Sequence, residues 1–302
     1  MGWAKIVFGM LFTIIVIFLL GFYWFIPRGI IDFSANSGNS NFSIDSEYEE
    51  MQFYENMRFP NKRISYRIFD CTLQKEDEME YAFDIISTTS ILDFYPVQIN
   101  EEISITCDSK NKIEEGLFIA GEGGPTNITQ AGEFNVIFHG SVLLLRESNC
   151  ERPNIAIHEL LHVLGFKHST NRNNIMYYLS KCNQVIGEDI IGLINETYSY
   201  PSYSDLVFEN VSAQIQGRFL DTNISVRNNG LKDSEAAKII IYADEKKIKE
   251  VELEPLQIGY GRMIILGNVW ISQVIVDELE FYIDYESNEL DKENNRIKLD
   301  VK

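Results

Sequence analysis

The chain begins with a long apolar stretch. From Ile6 to Pro27 it carries no charged residue and is rich in Ile, Leu, Phe and Val. A run of about 20 such residues can span a bilayer as a helix, and Trp3 and Trp24 suit the two membrane interfaces. The pattern predicts a transmembrane signal anchor over residues 1–27. A cleaved signal peptide is the alternative.

The pattern then becomes that of a stalk followed by a mixed domain. Residues 28–58 are rich in Ser, Asn and Glu and lack an apolar period, which favours a flexible stalk, with a short inhibitory prosegment as the alternative. Over 59–200, alternating stretches indicate strands, and apolar residues every three or four positions indicate helices. The predicted strands are 63–69, 103–107, 117–120, 134–139 and 142–145, and the predicted helices are 75–92, 154–164 and 188–197.

The helical period disappears after residue 200. Short alternating stretches recur with turn residues between them, which is typical of a β-sandwich. We therefore predict a separate all-β domain over 201–302. Its predicted strands are 224–226, 238–242, 248–253, 263–266, 274–276, 279–283 and 297–301.

The candidate chemistry lies in the predicted helix at 154–164 and the residues that follow it. His158 and His162 are four residues apart, so a helix places both imidazoles on one face. Gly165 lets the chain leave the helix and bring His168 back as a third nitrogen ligand. Three such ligands leave a tetrahedral zinc ion with one open position, as in a catalytic site. Glu159 is placed to act as general base.

An ordinary amphipathic helix with surface histidines is the alternative interpretation. Three of the chain's four histidines fall in this one motif, which favours the metal site. A methionine, Met176, follows His168 by eight residues. The H-E-x-x-H-x-x-G-x-x-H pattern with this methionine resembles the metzincin zinc endopeptidases, and Ser169 and the eight-residue spacing look most like the matrixin branch. The resemblance implies one catalytic Zn²⁺ held by His158, His162 and His168, with Met176 in a structural turn.

The residues after the methionine depart from the matrixin pattern. Tyr178 stands where matrixins usually have Pro, and a tyrosine two residues after the methionine resembles the astacin and serralysin branches. We therefore expect Tyr178 to stabilise the oxyanion or to ligate the resting metal, unless both tyrosines only pack the pocket wall. The resemblance also places a substrate-binding edge strand near 134–139. The Gly-rich residues 121–124 are predicted to form a loop near the cleft.

The four cysteines bear on location. An oxidising compartment would let them form two disulfides, and four cysteines allow three pairings. We predict Cys71–Cys107 and Cys150–Cys182. Five N-x-S/T sequons give weak additional support for an external location. Together with the predicted anchor, these features predict a single-pass cell-membrane protein with a cytoplasmic N-terminus and the bulk of the chain extracellular.

Charge and the last hundred residues add two points. The net charge of −19 argues against nucleic acid as a partner.

Residues 205–302 resemble CARDB domains, which are immunoglobulin-like modules of prokaryotic surface proteins. The resemblance rests on Asp205-Leu206, on the Asn-Asn-Gly turn ending at Gly230, and on the run from Glu289 to Asn295. It implies an adhesion or spacer module with a surface partner, and an archaeal origin. Whether calcium binds is left open.

The sequence as a whole predicts an α+β metzincin-like catalytic domain, with a mixed sheet and an active-site helix, followed by an immunoglobulin-like sandwich. The predicted function is that of a membrane-anchored zinc endopeptidase acting on protein or peptide substrates. Two other classes remain open. One is a surface adhesion protein with a vestigial zinc site, and the other is a zinc hydrolase of a non-protein amide.

Overall fold

The computed structural model describes residues 2–24, 30–36, 51–109, 112–114 and 117–300. Its first element is helix α1, Trp3–Trp24. None of the described helices combines the length and the apolar character that crossing a membrane requires. The transmembrane anchor predicted for residues 1–27 is therefore not supported.

The first domain is built on a six-stranded mixed sheet. The strand order is β2-β9-β5-β3-β4. Strands β2 and β5 pair with different parts of one edge of β9, and β8 pairs along the opposite edge. All the pairs are parallel except β8 with β9. The elements are β2 (Met57–Arg58), β3 (Arg63–Phe69), α2 (Leu73–Thr89), β4 (Asp93–Pro96), β5 (Ile103–Cys107), β6 (Lys112–Glu114), β7 (Leu117–Ile119), β8 (Gly121–Ala131), β9 (Phe134–Leu144), α3 (Asn154–Val163) and α4 (Glu188–Thr197).

The core of this domain forms where helices α2 and α3 pack against the sheet. Thr72 caps α2 by accepting a hydrogen bond from the Lys75 backbone N–H. Met79, Phe83 and Ile86, spaced by four and three residues, bury one face of that helix. They belong to one buried cluster with residues of the sheet and of α3. The predicted mixed sheet and active-site helix are thus both present.

The edge of the sheet differs from the prediction. Residues 134–139 lie in β9, which pairs on both sides, so the predicted edge strand is wrong. The edge is β8, which among the described strands pairs only with β9. It begins in the Gly-rich residues 121–124, where the sequence pattern predicts a loop. A Cβ at Gly121 would lie 2.7 Å from Cγ of Glu159, and one at Gly123 would overlap the Glu159 backbone. The glycines therefore allow a strand to lie directly against α3.

The second domain is a sandwich of two four-stranded antiparallel sheets, ordered β1-β10-β11-β14 and β13-β12-β15-β16. Inward-facing side chains of both sheets, such as Phe208 and Phe281, form its buried core. Residues 274–276, predicted to form a strand, lie in a loop, and β10 was not predicted. The strands are β1 (Ile30–Asn36), β10 (Leu206–Gln216), β11 (Phe219–Asn228), β12 (Ala237–Ala243), β13 (Lys246–Leu253), β14 (Gly261–Trp270), β15 (Glu278–Asp284) and β16 (Arg296–Asp300).

The predicted flexible stalk at 28–58 also needs correction. Strand β1 pairs along its whole length with β10 and buries Phe33 in the sandwich core. Residues 51–58 belong to the first domain, where Met57 is buried. Residues 28–29 and 37–50 of the predicted stalk lie outside the described residues. The chain therefore contributes to the sandwich both before and after the first domain.

The two domains meet at a buried apolar cluster. Phe134 and Val136 of β9 pack with Leu231 and Ile258 of the sandwich. Beside it, the buried Arg58 guanidinium donates to the Thr197 and Tyr200 carbonyl oxygens, at 2.7 and 3.1 Å. Arg58 thereby holds the segment that connects α4 to the sandwich.

Candidate metal centre and active site

Helix α3 and the turn after it bring three histidines together. His158 and His162 lie on one face of α3, and the helix ends where Gly165 adopts a φ of +97°. The backbone N–H of Gly165 donates to the His162 carbonyl, and that of Phe166 donates to the Leu161 carbonyl. The sequence analysis predicted that Gly165 would let the chain leave the helix, and this left-handed turn confirms it. It directs the chain back so that His168 faces the other two rings.

The three imidazoles converge through their Nε2 atoms. Nε2 of His168 lies 3.2 Å from Nε2 of His158 and 3.2 Å from Nε2 of His162. Nδ1 of His158 lies 2.7 Å from the Ile175 carbonyl oxygen, and Nδ1 of His162 lies 2.7 Å from the Phe166 carbonyl oxygen. A carbonyl oxygen only accepts hydrogen bonds, so each Nδ1 carries the proton and each Nε2 presents a lone pair.

These nitrogens fit a metal ion. Burial lowers the pKa of His158 and of His162 to about 4, and it also lowers the pKa of His168. The rings are thus neutral near pH 7, the protonation state that coordinates a metal. Facing lone pairs at this distance repel one another unless a cation lies between them. Within the described residues, these three side chains form the one group of His, Cys, Asp or Glu ligand atoms close enough to share an ion.

The predicted methionine turn supports one of the three histidines. Met176 is buried in the core of the first domain. Its backbone N–H donates to Oδ1 of Asn174, and its carbonyl accepts the Ser169 N–H, both at 2.8 Å. The neighbouring residue Ile175 supplies the carbonyl that holds His158. The turn therefore fixes the tautomer and the orientation of that ring.

Glu159 lies beside these rings at the floor of the cleft. Its side chain is 6% exposed, and it borders the same cavity as the three histidines. Burial, with a smaller contribution from the carboxylate of Glu122, raises the pKa of Glu159 to about 8. No described residue donates a hydrogen bond to this carboxylate.

The two tyrosines after the methionine differ in position. Tyr178 is 56% exposed and lines the cleft, whereas Tyr177 is 9% exposed. Their ring centroids are 4.6 Å apart. A hydrogen bond between their hydroxyls lowers the pKa of Tyr177 and raises that of Tyr178. Of the two, Tyr178 is therefore the one that can reach a bound molecule.

The cleft is a cavity of about 930 Å³ between two walls. One wall is the start of β8. The other consists of the segments around Cys150 and Cys182, which form a disulfide on the cavity lining. The second disulfide joins Cys71 and Cys107 away from the cleft. The structure thus forms both of the disulfides that the sequence analysis predicted.

The sequence analysis missed two contributors to the site. Gly121 and Gly123 bring β8 against Glu159. From the sequence, glycines at this spacing predicted only a loop. Phe53 stacks on His162 with ring centroids 5.9 Å apart. Its backbone N–H donates to the Gly165 carbonyl at 2.8 Å. An isolated aromatic residue in a polar segment gave no signal of this contact.

Comparison with known proteins agrees with this geometry. Residues 51–198 match the model of the Astacin family of peptidases. Astacins are a different metzincin branch from the matrixins, so the matrixin-like assignment is not supported. The position of Tyr178, two residues after Met176, is the sequence feature that resembles the astacin branch. No curated protein matches the chain.

One solved structure similar to part of the chain is the CARDB domain of a Pyrococcus furiosus protein, in complex with di-metal ions. The match covers 33% of this chain and 87% of that one, at 16% identity and a TM-score of 0.28. A likeness of this strength leaves the CARDB assignment of the sandwich a prediction. The match of residues 51–198 is extensive and includes the whole histidine site. Over residues 51–198 the chain is therefore similar to an Astacin peptidase domain, and the family that it matches there consists of zinc-dependent metallopeptidases.

Proposed function

We propose that this protein is a zinc-dependent endopeptidase that acts outside the cytoplasm on extended polypeptide segments. The observation that carries the proposal is the convergence of the Nε2 atoms of His158, His162 and His168. Two of these rings are fixed by carbonyl oxygens so that their lone pairs face the same point. Such a donor set suits a zinc ion with an open coordination position.

A zinc ion held by these residues would act as a Lewis acid, lowering the pKa of a bound water and polarising the scissile carbonyl. The protein's part is to hold three neutral imidazoles in place. The Ile175 and Phe166 carbonyls do this for His158 and His162, and the stacked ring of Phe53 covers His162. This support reduces the reorganisation needed when a substrate binds.

Glu159 acts as the general base. Its carboxyl group faces the cleft and receives no hydrogen bond from the described residues. Burial alone favours the protonated form, and a dication held by the three histidines would favour the charged carboxylate, which accepts a proton from the attacking water. Once the tetrahedral centre forms, the same carboxyl group delivers that proton to the departing amine nitrogen. One residue thus serves both halves of the reaction.

Tyr178 stabilises the oxyanion. Its side chain stands exposed on the cleft, within the segment that follows Met176. A hydroxyl donor aimed at the developing negative charge strengthens its hydrogen bond as the charge grows. Tyr177 supports Tyr178 through a tilted ring contact, with the two centroids 4.6 Å apart.

The substrate binds as an additional strand on β8. Among the described strands β8 pairs only with β9, so its other edge is free, and its first residues lie against Glu159. Pairing with a free edge uses main-chain hydrogen bonds, which any extended polypeptide can supply. The two disulfides support an oxidising compartment as the place of action.

A cleavage assay tests this proposal. The full chain, loaded with zinc, would be incubated with a diverse pool of unstructured peptides, and the products identified by mass spectrometry. We expect cleavage by the wild type that a chelator abolishes. Glu159→Gln should keep one bound zinc per chain and lose turnover by on the order of 10²–10⁴-fold, the usual contribution of a general base.

Glu147→Gln is the matched control, because Glu147 borders the same cavity and is not among the charges that shift the pKa of Glu159. It should retain most of the activity. If the wild type binds zinc and cleaves no peptide, the endopeptidase proposal fails, and an adhesion role or a non-protein amide substrate becomes the better hypothesis. Cleavage retained in Glu159→Gln would remove that residue from the mechanism.

A further inference from the structure

Strand β8 connects the metal centre to the sandwich. At its start, Gly121 and Gly123 lie against Glu159. Near its end, Thr129 and Gln130 lie against Gly259 of the sandwich. Thr129 is six positions after Gly123, which corresponds to about 20 Å in a strand with a rise of about 3.3 Å per residue. One edge therefore runs from the catalytic residues to a second domain.

The sandwich meets β8 on its free edge. Ala131 pairs with Phe134 at the hairpin turn, and Gln130 pairs with Asn135. The Asn135 backbone N–H donates to the Asn56 carbonyl, on the side of β9 away from β8. Gln130 and Asn135 therefore form a non-hydrogen-bonded pair, and the Gln130 carbonyl points away from β9. A Cβ built at Gly259 would lie 2.7 Å from that oxygen.

The sandwich loop at this position is held by several hydrogen bonds and presents an aromatic side chain. The Gly259 carbonyl accepts a hydrogen bond from Nη1 of Arg227 at 2.9 Å. The Tyr260 N–H donates to the Gln257 carbonyl, and its own carbonyl accepts the Asn228 N–H. Ile258 is buried in the interdomain cluster. The side chain of Tyr260 is nevertheless 59% exposed.

From this continuity we infer that the loop 257–260, with Tyr260, is a distal substrate subsite that the sandwich adds to the cleft. The inference rests on the proposed peptidase function. A polypeptide that pairs antiparallel with β8 runs from the sandwich toward the metal centre. Its residue near Tyr260 then lies roughly seven positions before the scissile bond. The preferred occupant is an extended chain with an apolar or aromatic residue there, since a rigid tyrosine ring offers contact area at low entropic cost.

Peptides of two lengths test the inference. Both carry one cleavage site found in the peptide pool, with the same residues after it. One has three residues before the scissile bond, and the other has nine, including a phenylalanine seven positions before it. We expect the longer peptide to have a lower KM by on the order of 5–10-fold, the effect of one aromatic contact, with kcat unchanged.

Tyr260→Ala should reduce the advantage of the longer peptide by the aromatic contribution, keep the part that comes from main-chain pairing with β8, and leave the shorter peptide unaffected. Trp270→Ala is the matched control. Trp270 is an aromatic residue of the same domain that is 57% exposed and lies at the far end of β14 from Gly261. Its loss should leave the KM of both peptides unchanged. Equal KM values for the two lengths in the wild type, or an unchanged length effect in Tyr260→Ala, would overturn the inference.

A binding measurement separates this inference from the proposed function. The same peptides, labelled for fluorescence anisotropy, would be titrated into zinc-loaded Glu159→Gln with and without Tyr260→Ala. Tighter binding of the longer peptide that depends on Tyr260 supports the subsite even if no peptide is cleaved. Absence of that dependence overturns it, even if the wild type is an active peptidase.

Discussion

Each of the two domains buries a glutamate, and the two glutamates differ in whether hydrogen-bond donors surround them. Glu159 and Glu289 are 6% and 8% exposed, and burial raises both pKa values, to about 8 and about 7. Glu289 accepts hydrogen bonds from the Leu206 backbone N–H and from the Asn295 amide. Glu159 accepts none from the described residues and faces a cavity. Burial alone therefore does not separate a catalytic acid from a structural one.

The hydrogen-bond donors make that distinction. In the sandwich, Asp205 accepts from the Asp291 N–H and from the Asn294 amide, beside the bonds that Glu289 receives. These bonds tie the start of β10 to the turn before β16. A buried acid whose oxygens are occupied in this way stabilises a loop. A buried acid with vacant oxygens, next to converging imidazole lone pairs, is available to move a proton.

The two domains differ also in covalent linkage. All four cysteines lie in the first domain, where they form two disulfides. Reduction should therefore act on that domain alone. The disulfides link residues 36 and 32 positions apart, for which the chain-entropy estimate is roughly 4 kcal/mol of folding free energy each. Calorimetry with and without a dithiol should show the first-domain transition move to lower temperature and the sandwich transition stay in place.

Paired serine variants sharpen this test. Cys150→Ser with Cys182→Ser should also raise KM for peptides, because that disulfide lines the cleft. Cys71→Ser with Cys107→Ser, which removes the disulfide away from the cleft, should lower stability and leave KM unchanged. Equal effects of the two pairs on KM would contradict the role of Cys150–Cys182 in holding the cleft walls.

A smaller effect is expected from Tyr178, which lines the same cavity as Glu159. Tyr178→Phe removes a hydroxyl from the cleft and should lower kcat by on the order of 10–100-fold, the range for losing one oxyanion donor of moderate strength. Tyr177→Phe is the control, since that ring is buried and should change kcat far less. Steady-state kinetics on one peptide decides between them. Unchanged turnover in Tyr178→Phe would make the tyrosine pair a wall of the pocket.

The histidine site could be predicted because its geometry is local. Two ligands four residues apart on a helix, a glycine that permits a left-handed turn, and a third ligand soon after are all fixed by the backbone of one short segment. The structure brings His158, His162 and His168 together as that reasoning expected. The carbonyl partners at Ile175 and Phe166 could not be predicted, since they depend on how the following turn packs.

The edge strand and the first strand of the sandwich depend on long-range contacts, and sequence reasoning missed both. Gly121 and Gly123 look like a chain break, but in the fold they allow close approach to α3. Strand β1 has few strong signals, because its partner β10 lies about 180 residues away and supplies the pairing. Pattern analysis detects periodicity within a short window of sequence. The contact of β8 with α3 and the pairing of β1 with β10 both depend on residues outside such a window.

The smallest expected effect concerns the structural acids. Burial raises the pKa of Asp205 to about 6 and that of Glu289 to about 7, whereas both titrate near 4 in an unfolded chain. Between those values the folded state binds more protons than the unfolded state, so the free energy of unfolding falls as pH rises. We expect the sandwich to lose stability steadily between about pH 4 and pH 7 through these two groups. Urea denaturation of the full chain across this range would measure the slope, and Glu289→Gln should flatten it. Glu254→Gln, a change at an exposed acid of the same domain, should leave the slope as it is. A slope of the opposite sign in the wild type would mean that the donors around Asp205 and Glu289 stabilise the charged forms more than burial opposes them, and the contrast with Glu159 would then be stronger.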